Sequence, residues 1–239
     1  MQGVSDSQGG AEEMLPLTDN MPSRVSPWIT WVLILVNGLV FLHELALPSD
    51  ELQVFILQFG LVPARLHADP RVAWTLLTSM FLHGGWLHIL GNMWFLFVFG
   101  RNVEDSMGHG RYLLFYLLCG IAAGATQYEV AKASAMPTIG ASGAIAGVLG
   151  AYFLLFPRAR ILTLVPGLLI FPWLVRIPAA IFLGLWFLLQ LFEGTLAIGA
   201  PDSFQDTAFW AHVGGFCAGM ALLPLCRKKR GQGKTPDSL

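Results

Sequence analysis

Four polar side chains of this 239-residue chain sit within apolar stretches and have the types needed for acyl transfer: Ser142, His212, His88 and Asn92. A serine hydroxyl becomes a nucleophile when a neighbouring histidine takes its proton, and N–H donors can hold the oxyanion that follows. Ser142 opens an apolar run in Gly140-Ala141-Ser142-Gly143, and His212 lies near the start of another in Ala211-His212-Val213-Gly214-Gly215. His88 and Asn92 are four residues apart, which places them on one helical face, with His83 about a turn outside. Asp202 and Asp206 lie in the loop before His212, and Glu104 and Glu193 lie near the ends of other apolar segments. With no carboxylate placed to complete a triad, a Ser142–His212 dyad is favoured. His88 and Asn92 are then the candidates for oxyanion stabilisation, helped by backbone N–H groups at the N-terminus of the helix that Ser142 opens.

The elements that position these groups must work in a membrane. The chain is 55% hydrophobic and only 12% charged, whereas a soluble domain carries about 25% charged residues. Its 26 Gly and 14 Pro are spread among apolar runs, which excludes collagen-like and low-complexity chains. A net charge of −1 offers no basic stripe for nucleic acid, and Cys119, Cys217 and Cys226 all lie in apolar stretches, so no disulfide framework is suggested.

A helix needs about 20 apolar residues to cross a core of about 30 Å. Segments 28–47, 72–99, 112–131, 141–156, 179–198 and 208–226 are predicted as six spans of an all-α bundle. Residues 1–27 read as a disordered tail without a signal-peptide pattern, and 227–239 as a basic tail. Segment 161–175 is short and broken by Pro166, Gly167 and Pro172, so it is expected to be interfacial or re-entrant. Six spans put both termini on one side. Eleven of the 14 Lys and Arg residues then share that side, leaving only Arg65, Arg71 and Lys132 opposite, so both termini are expected in the cytoplasm.

This topology brings Ser142, His88, Asn92 and His212 to one depth, because the second, fourth and sixth spans run in the same direction. Each group has a purely structural reading. Gly143, Gly147 and Ala151, and likewise Ala211, Gly215 and Gly219, form small-residue stripes that pack membrane helices closely. Agreement in depth at three separate places is what favours chemistry. The stripes also let two backbones approach as a serine–histidine hydrogen bond requires. Water would have access, since a fourth span of 16 residues covers about 24 Å at 1.5 Å per residue. It should start below the outer boundary, with the loop over 194–207 able to cover the resulting cavity.

At this point the residues resemble the rhomboid family of intramembrane serine proteases. The resemblance rests on His83-Gly84-Gly85-Trp86-Leu87-His88-Ile89-Leu90-Gly91-Asn92, on the Glu104-containing loop from Gly100 to Gly108, on Gly140-Ala141-Ser142-Gly143, and on the helix that runs from Ala211 and His212 to Gly215 and Gly219. It implies a six-helix core with a Ser142–His212 dyad. The oxyanion site would be formed by His88, Asn92 and the Ser142 backbone N–H, with Gly140 letting the chain approach the substrate carbonyl. It further implies cleavage of membrane-anchored substrates near the outer face, usually after a small residue, with lateral entry between the second and fifth helices. No cofactor or metal is required. Two positions depart from the family pattern: Thr75 follows Trp74 where an arginine is usual, and Ala146 stands where an aromatic ring often stacks on the histidine.

Against this stands a catalytically inactive rhomboid-like protein that binds membrane clients, although the serine and histidine are intact. A transporter would show repeated halves, and none are visible. His43-Glu44 lacks the second histidine of a zinc-protease helix, and the Gly-x-Gly-Asp pattern of aspartyl intramembrane proteases is missing. Small size and the basic tail suggest a bacterial plasma membrane.

Overall fold

The computed structural model describes residues 15–21, 25–165, 173–199 and 208–228. Strand β1 (Leu15–Asp19) precedes helix α1 (Trp28–Ala46), and three short helices follow: α2 (Ser49–Phe59), α3 (Pro63–Ala68) and α4 (Thr75–Thr78). Next come α5 (Trp86–Met107), α6 (His109–Val130) and α7 (Ser142–Leu155). Strands β2 (Arg160–Val165) and β3 (Trp173–Pro178) lead to α8 (Ala179–Gly199) and α9 (Phe209–Cys226). Helices α1, α6, α8 and α9 are long and apolar enough to cross a bilayer, while α7 is a shorter apolar helix. Leu35, Leu39 and Leu42 on α1 and Leu185, Leu188 and Phe192 on α8 face outward. Apolar surface of that extent suits lipid rather than water. The chain is a multi-pass membrane protein.

Helix α7 is the axis of the bundle, with every residue from Gly143 to Tyr152 buried. Its small residues make that possible. A Cβ placed on Gly215 of α9 would lie 2.0 Å from the Gly143 carbonyl oxygen, and one on Gly219 would lie 2.0 Å from that of Gly147. On the α6 side, a Cβ on Gly143 would meet Ala123 at 2.6 Å. The two expected stripes are therefore contact surfaces that bring α7, α9 and α6 together backbone to backbone.

The ends of the helices show how local chemistry sets their limits. Pro27 offers α1 no side-chain cap. Its orphan amides are met by Glu104 of α5, whose Oε1 accepts from Ile29 N and whose Oε2 accepts from Thr30 N, both at 2.9 Å. A carboxylate at a helix N-terminus also suits the helix dipole. Lys228 N donates to Ser106 O at 3.0 Å. The start of α1, the end of α5 and the end of α9 thus share one end of the bundle.

Several expectations need correction. The fold is not all-α: β1, β2 and β3 form an antiparallel sheet in that order. Of segment 161–175, the described residues 161–165 and 173–175 form antiparallel strands of that sheet, with Ile161 opposite Ile177, while 166–172 lie outside the described residues. Ile161 and Thr163 alternate as its fully buried positions, a period of two hidden by the apolar residues between them. The tail over 1–27 contains β1, which pairs with β2. It is held by Trp94 Nε1–H, which donates to Pro16 O at 2.6 Å, and by the Asp19 carboxylate, which accepts from Arg101, Asn102 and Tyr152.

The second helix begins at Trp86, not near residue 72. Upstream of it the chain breaks into 3₁₀ turns at Pro70–Trp74 and Ser79–Phe81 around α4. Thr75 and Thr78 hydroxyls donate there to the carbonyls of Val72 and Phe59, a competition that disfavours continuous helix. The Glu104-containing stretch read as a loop is the last part of α5, which ends at Gly108 with φ of 81°. Similarly, 194–199 belongs to α8.

Candidate active site

Ser142 is the first residue of α7 and is half-buried. The turn before it is anchored from two sides: Thr138 pairs with Leu61, and Gly140 N donates to Ser79 O at 2.9 Å. Gly140 has φ of 121°, and a Cβ there would lie 2.6 Å from His88 Nε2 and 3.7 Å from Asn92 Nδ2. Only glycine combines that backbone conformation with so close an approach. The first amides of α7, beginning with Ser142, have no partner within the helix.

His212 is in the first turn of α9. Its Nε2 lies 2.8 Å from Ser142 Oγ. The Gly143–Gly215 approach directly behind this pair is what brings the two side chains within reach. His212 Nδ1 lies 2.5 Å from Gln190 Oε1 of α8. The ring of Trp186, one turn earlier on α8, stands 5.8 Å from that of His212 at an interplanar angle of 36°. Gln190 and Trp186 were not anticipated. The available signal was an amide in the middle of the apolar run 179–198, ahead of Glu193, since polar groups at membrane depth are costly. With Ala146 small and buried, a ring on another helix lies against the histidine.

His88 and Asn92 come from the first two turns of α5. Gly84 N–H points to His88 Nδ1 at 3.4 Å, which leaves Nε2 as the protonated nitrogen facing Gly140. Asn92 is 8% exposed, and its Nδ2 has no hydrogen-bond partner among the described residues. A buried donor without an acceptor is costly in a folded protein. Beside them, His83 is buried against His88 with ring centroids 5.1 Å apart. Its backbone N donates to the buried Glu44 carboxylate at 3.2 Å, a partner the sequence did not suggest. Thr75 is buried and bonded to its own turn.

A cavity of about 30 Å³ adjoins the serine, lined by Ser79, Gly140, Ser142, Ala144, Ala208 and Ala211. That is room for about one water molecule or a small side chain. All the proposed site residues, Ser142, His212, His88, Asn92 and Gly140, therefore converge on one place. The loop aspartates Asp202 and Asp206 lie outside the described residues. Chemically, the arrangement offers a hydroxyl, a base oriented toward it, and a set of N–H donors beside it.

Comparison with known proteins agrees with this architecture. The model for the Rhomboid domain matches residues 70–229, well over half of the chain. The mitochondrial RHOMBOID-like protein 6 of Arabidopsis thaliana is 31% identical over 156 residues, covering 63% of this chain and 44% of that protein. Rhomboid protease GluP of Bacillus subtilis is 44% identical over 78 residues, covering 33% of this chain and 15% of that protein. The mitochondrial rhomboid protein 1 of Saccharomyces cerevisiae is 29% identical over 150 residues, covering 61% and 40%. The chain spans at most half of the length of such curated relatives. A match that extends from the turns before α5 to the end of α9 takes in Ser142, His212, His88, Asn92 and Gly140, and the chain belongs to the rhomboid family.

Proposed function

We propose that this chain is an intramembrane serine endopeptidase. His212 takes the Ser142 proton as the hydroxyl oxygen attacks a scissile carbonyl, then returns it to the leaving amine. The resulting acyl-enzyme is hydrolysed by water, with His212 again as base. The oxyanion of each tetrahedral intermediate is held by the Ser142 backbone N–H, His88 Nε2–H and Asn92 Nδ2–H. Gly140 keeps the chain clear of that position. The observation that carries the reading is the 2.8 Å contact between Ser142 Oγ and His212 Nε2, beside a buried amide donor left unpaired.

Substrates are membrane-anchored proteins, single-span chains above all, cut near the outer face after a small residue. The small cavity beside Ser142 suits such a residue. Six helices cross the bilayer with both termini in the cytoplasm, and the charge distribution supports that orientation. A bacterial plasma membrane is the favoured setting.

Reconstitution with a single-span reporter tests the proposal. Wild-type proteoliposomes should release two fragments, and Ser142→Ala proteoliposomes none. A reporter that copurifies with wild-type protein yet stays intact would replace the protease reading with that of a client-binding protein.

A further inference from the structure

We infer that Gln190 is a positioning residue that sets the tautomer of His212, making α8 part of the reacting apparatus. This rests on the serine-protease reading above. Gln190 is 9% exposed, and its Oε1 lies 2.5 Å from His212 Nδ1. An amide oxygen only accepts, so Nδ1 carries the proton and Nε2 turns its lone pair toward Ser142 Oγ, 2.8 Å away. That is the form able to take the serine proton. An imidazole protonated on Nε2 would instead donate to the hydroxyl and could not act as base.

A second contact from the same helix face supports this. Trp186 lies four residues before Gln190 and packs its ring against the imidazole. Gly194, four residues beyond Gln190, brings α8 close to α9: a Cβ there would lie 3.2 Å from that of Phe209, and Trp210 Nε1–H donates to Gly194 O at 3.0 Å. Successive turns of α8 thus fix the first turn of α9 by ring contact, hydrogen bond and close approach. The neutral amide orients the histidine at membrane depth without the desolvation cost of a carboxylate.

The test uses the purified full chain in detergent and in proteoliposomes. Fluorophosphonate labelling rate, kcat and KM on a single-span reporter, and thermal unfolding are measured for wild type, Gln190→Leu and Gln190→Glu. Leucine keeps the bulk and removes the acceptor, so kcat and the labelling rate should fall about 10- to 100-fold with KM within about twofold. Glutamate keeps the acceptor and should restore most of kcat while moving its pH profile, because a titratable group then adjoins the base. Wild-type kcat in Gln190→Leu would overturn the inference, as would a loss matched by the fall in folded fraction. If Gln190→Leu does not fold, an unmoved pH profile in Gln190→Glu overturns it. Failure of the underlying protease reading is distinct: wild type itself would neither label nor cleave.

Discussion

At the end of the bundle where α1 begins, both oxygens of the Asp19 and Glu104 carboxylates are taken up by neighbours. At the other end, Asn92 Nδ2 and both ring nitrogens of His83 are buried without hydrogen-bond partners among the described residues. The first cluster ties β1 to α5 and α7, and α5 to α1, through bonds between pieces of backbone distant in sequence, beside a local contact of Glu104 with His109. Even there Arg101 Nε and the buried Tyr112 hydroxyl lack hydrogen-bond partners among the described residues, but the guanidinium already meets Asp19 through Nη2 at 2.6 Å. In the second cluster His88 Nε2 and Asn92 Nδ2 face Gly140, beside Ser142, with His83 packed against His88. Polar groups that hold a membrane fold together are used up in doing so. Those left open at the same cost in desolvation fit a transient negative charge.

This contrast predicts that the two ends respond differently to mutation. The largest effects belong to Ser142→Ala and His212→Ala, which should each lower kcat by about 10⁶ while leaving thermal unfolding near wild type. Residual cleavage within tenfold of wild type would break the comparison. Asn92→Ala removes one oxyanion donor and should cost about 2.7–4 kcal/mol of transition-state stabilisation, a 10²- to 10³-fold fall in kcat. Its folded state should be no less stable, since that amide nitrogen has no partner among the described residues.

Asp19→Ala should show the reverse pattern. Removing a carboxylate with a fully buried side chain leaves Arg101, Asn102 and Tyr152 without their acceptor, at a cost of about 2–4 kcal/mol in stability. Activity per folded molecule should remain unchanged in detergent assays corrected for folded fraction. The smallest effect is expected from Gly140→Ala, about 1–2 kcal/mol of backbone strain at a positive φ. Crowding of His88 Nε2 should add a measurable fall in kcat.

Much of the helical frame was legible because apolar length is a local property. The expected segments 112–131, 141–156, 179–198 and 208–226 coincide closely with α6, α7, α8 and α9. The sheet was not legible, because five residues of β1 carry no sign of a partner about 145 positions away. Helix α5 was extended too far back because 72–85 is apolar enough, and its breaks depend on hydroxyl-to-carbonyl bonds within the folded turns. Of the site, the four side chains chosen for their chemistry came together. What stayed hidden was their surroundings: Gln190 meets His212 and Glu44 meets His83 from other elements, and no spacing within one helix points to those contacts.

The most direct test of the central claim is to map a fluorophosphonate adduct on the purified protein by mass spectrometry. The account predicts a single adduct on the peptide that contains Ser142, lost in both Ser142→Ala and His212→Ala. An adduct on another residue, or equal labelling of wild type and Ser142→Ala, would contradict it.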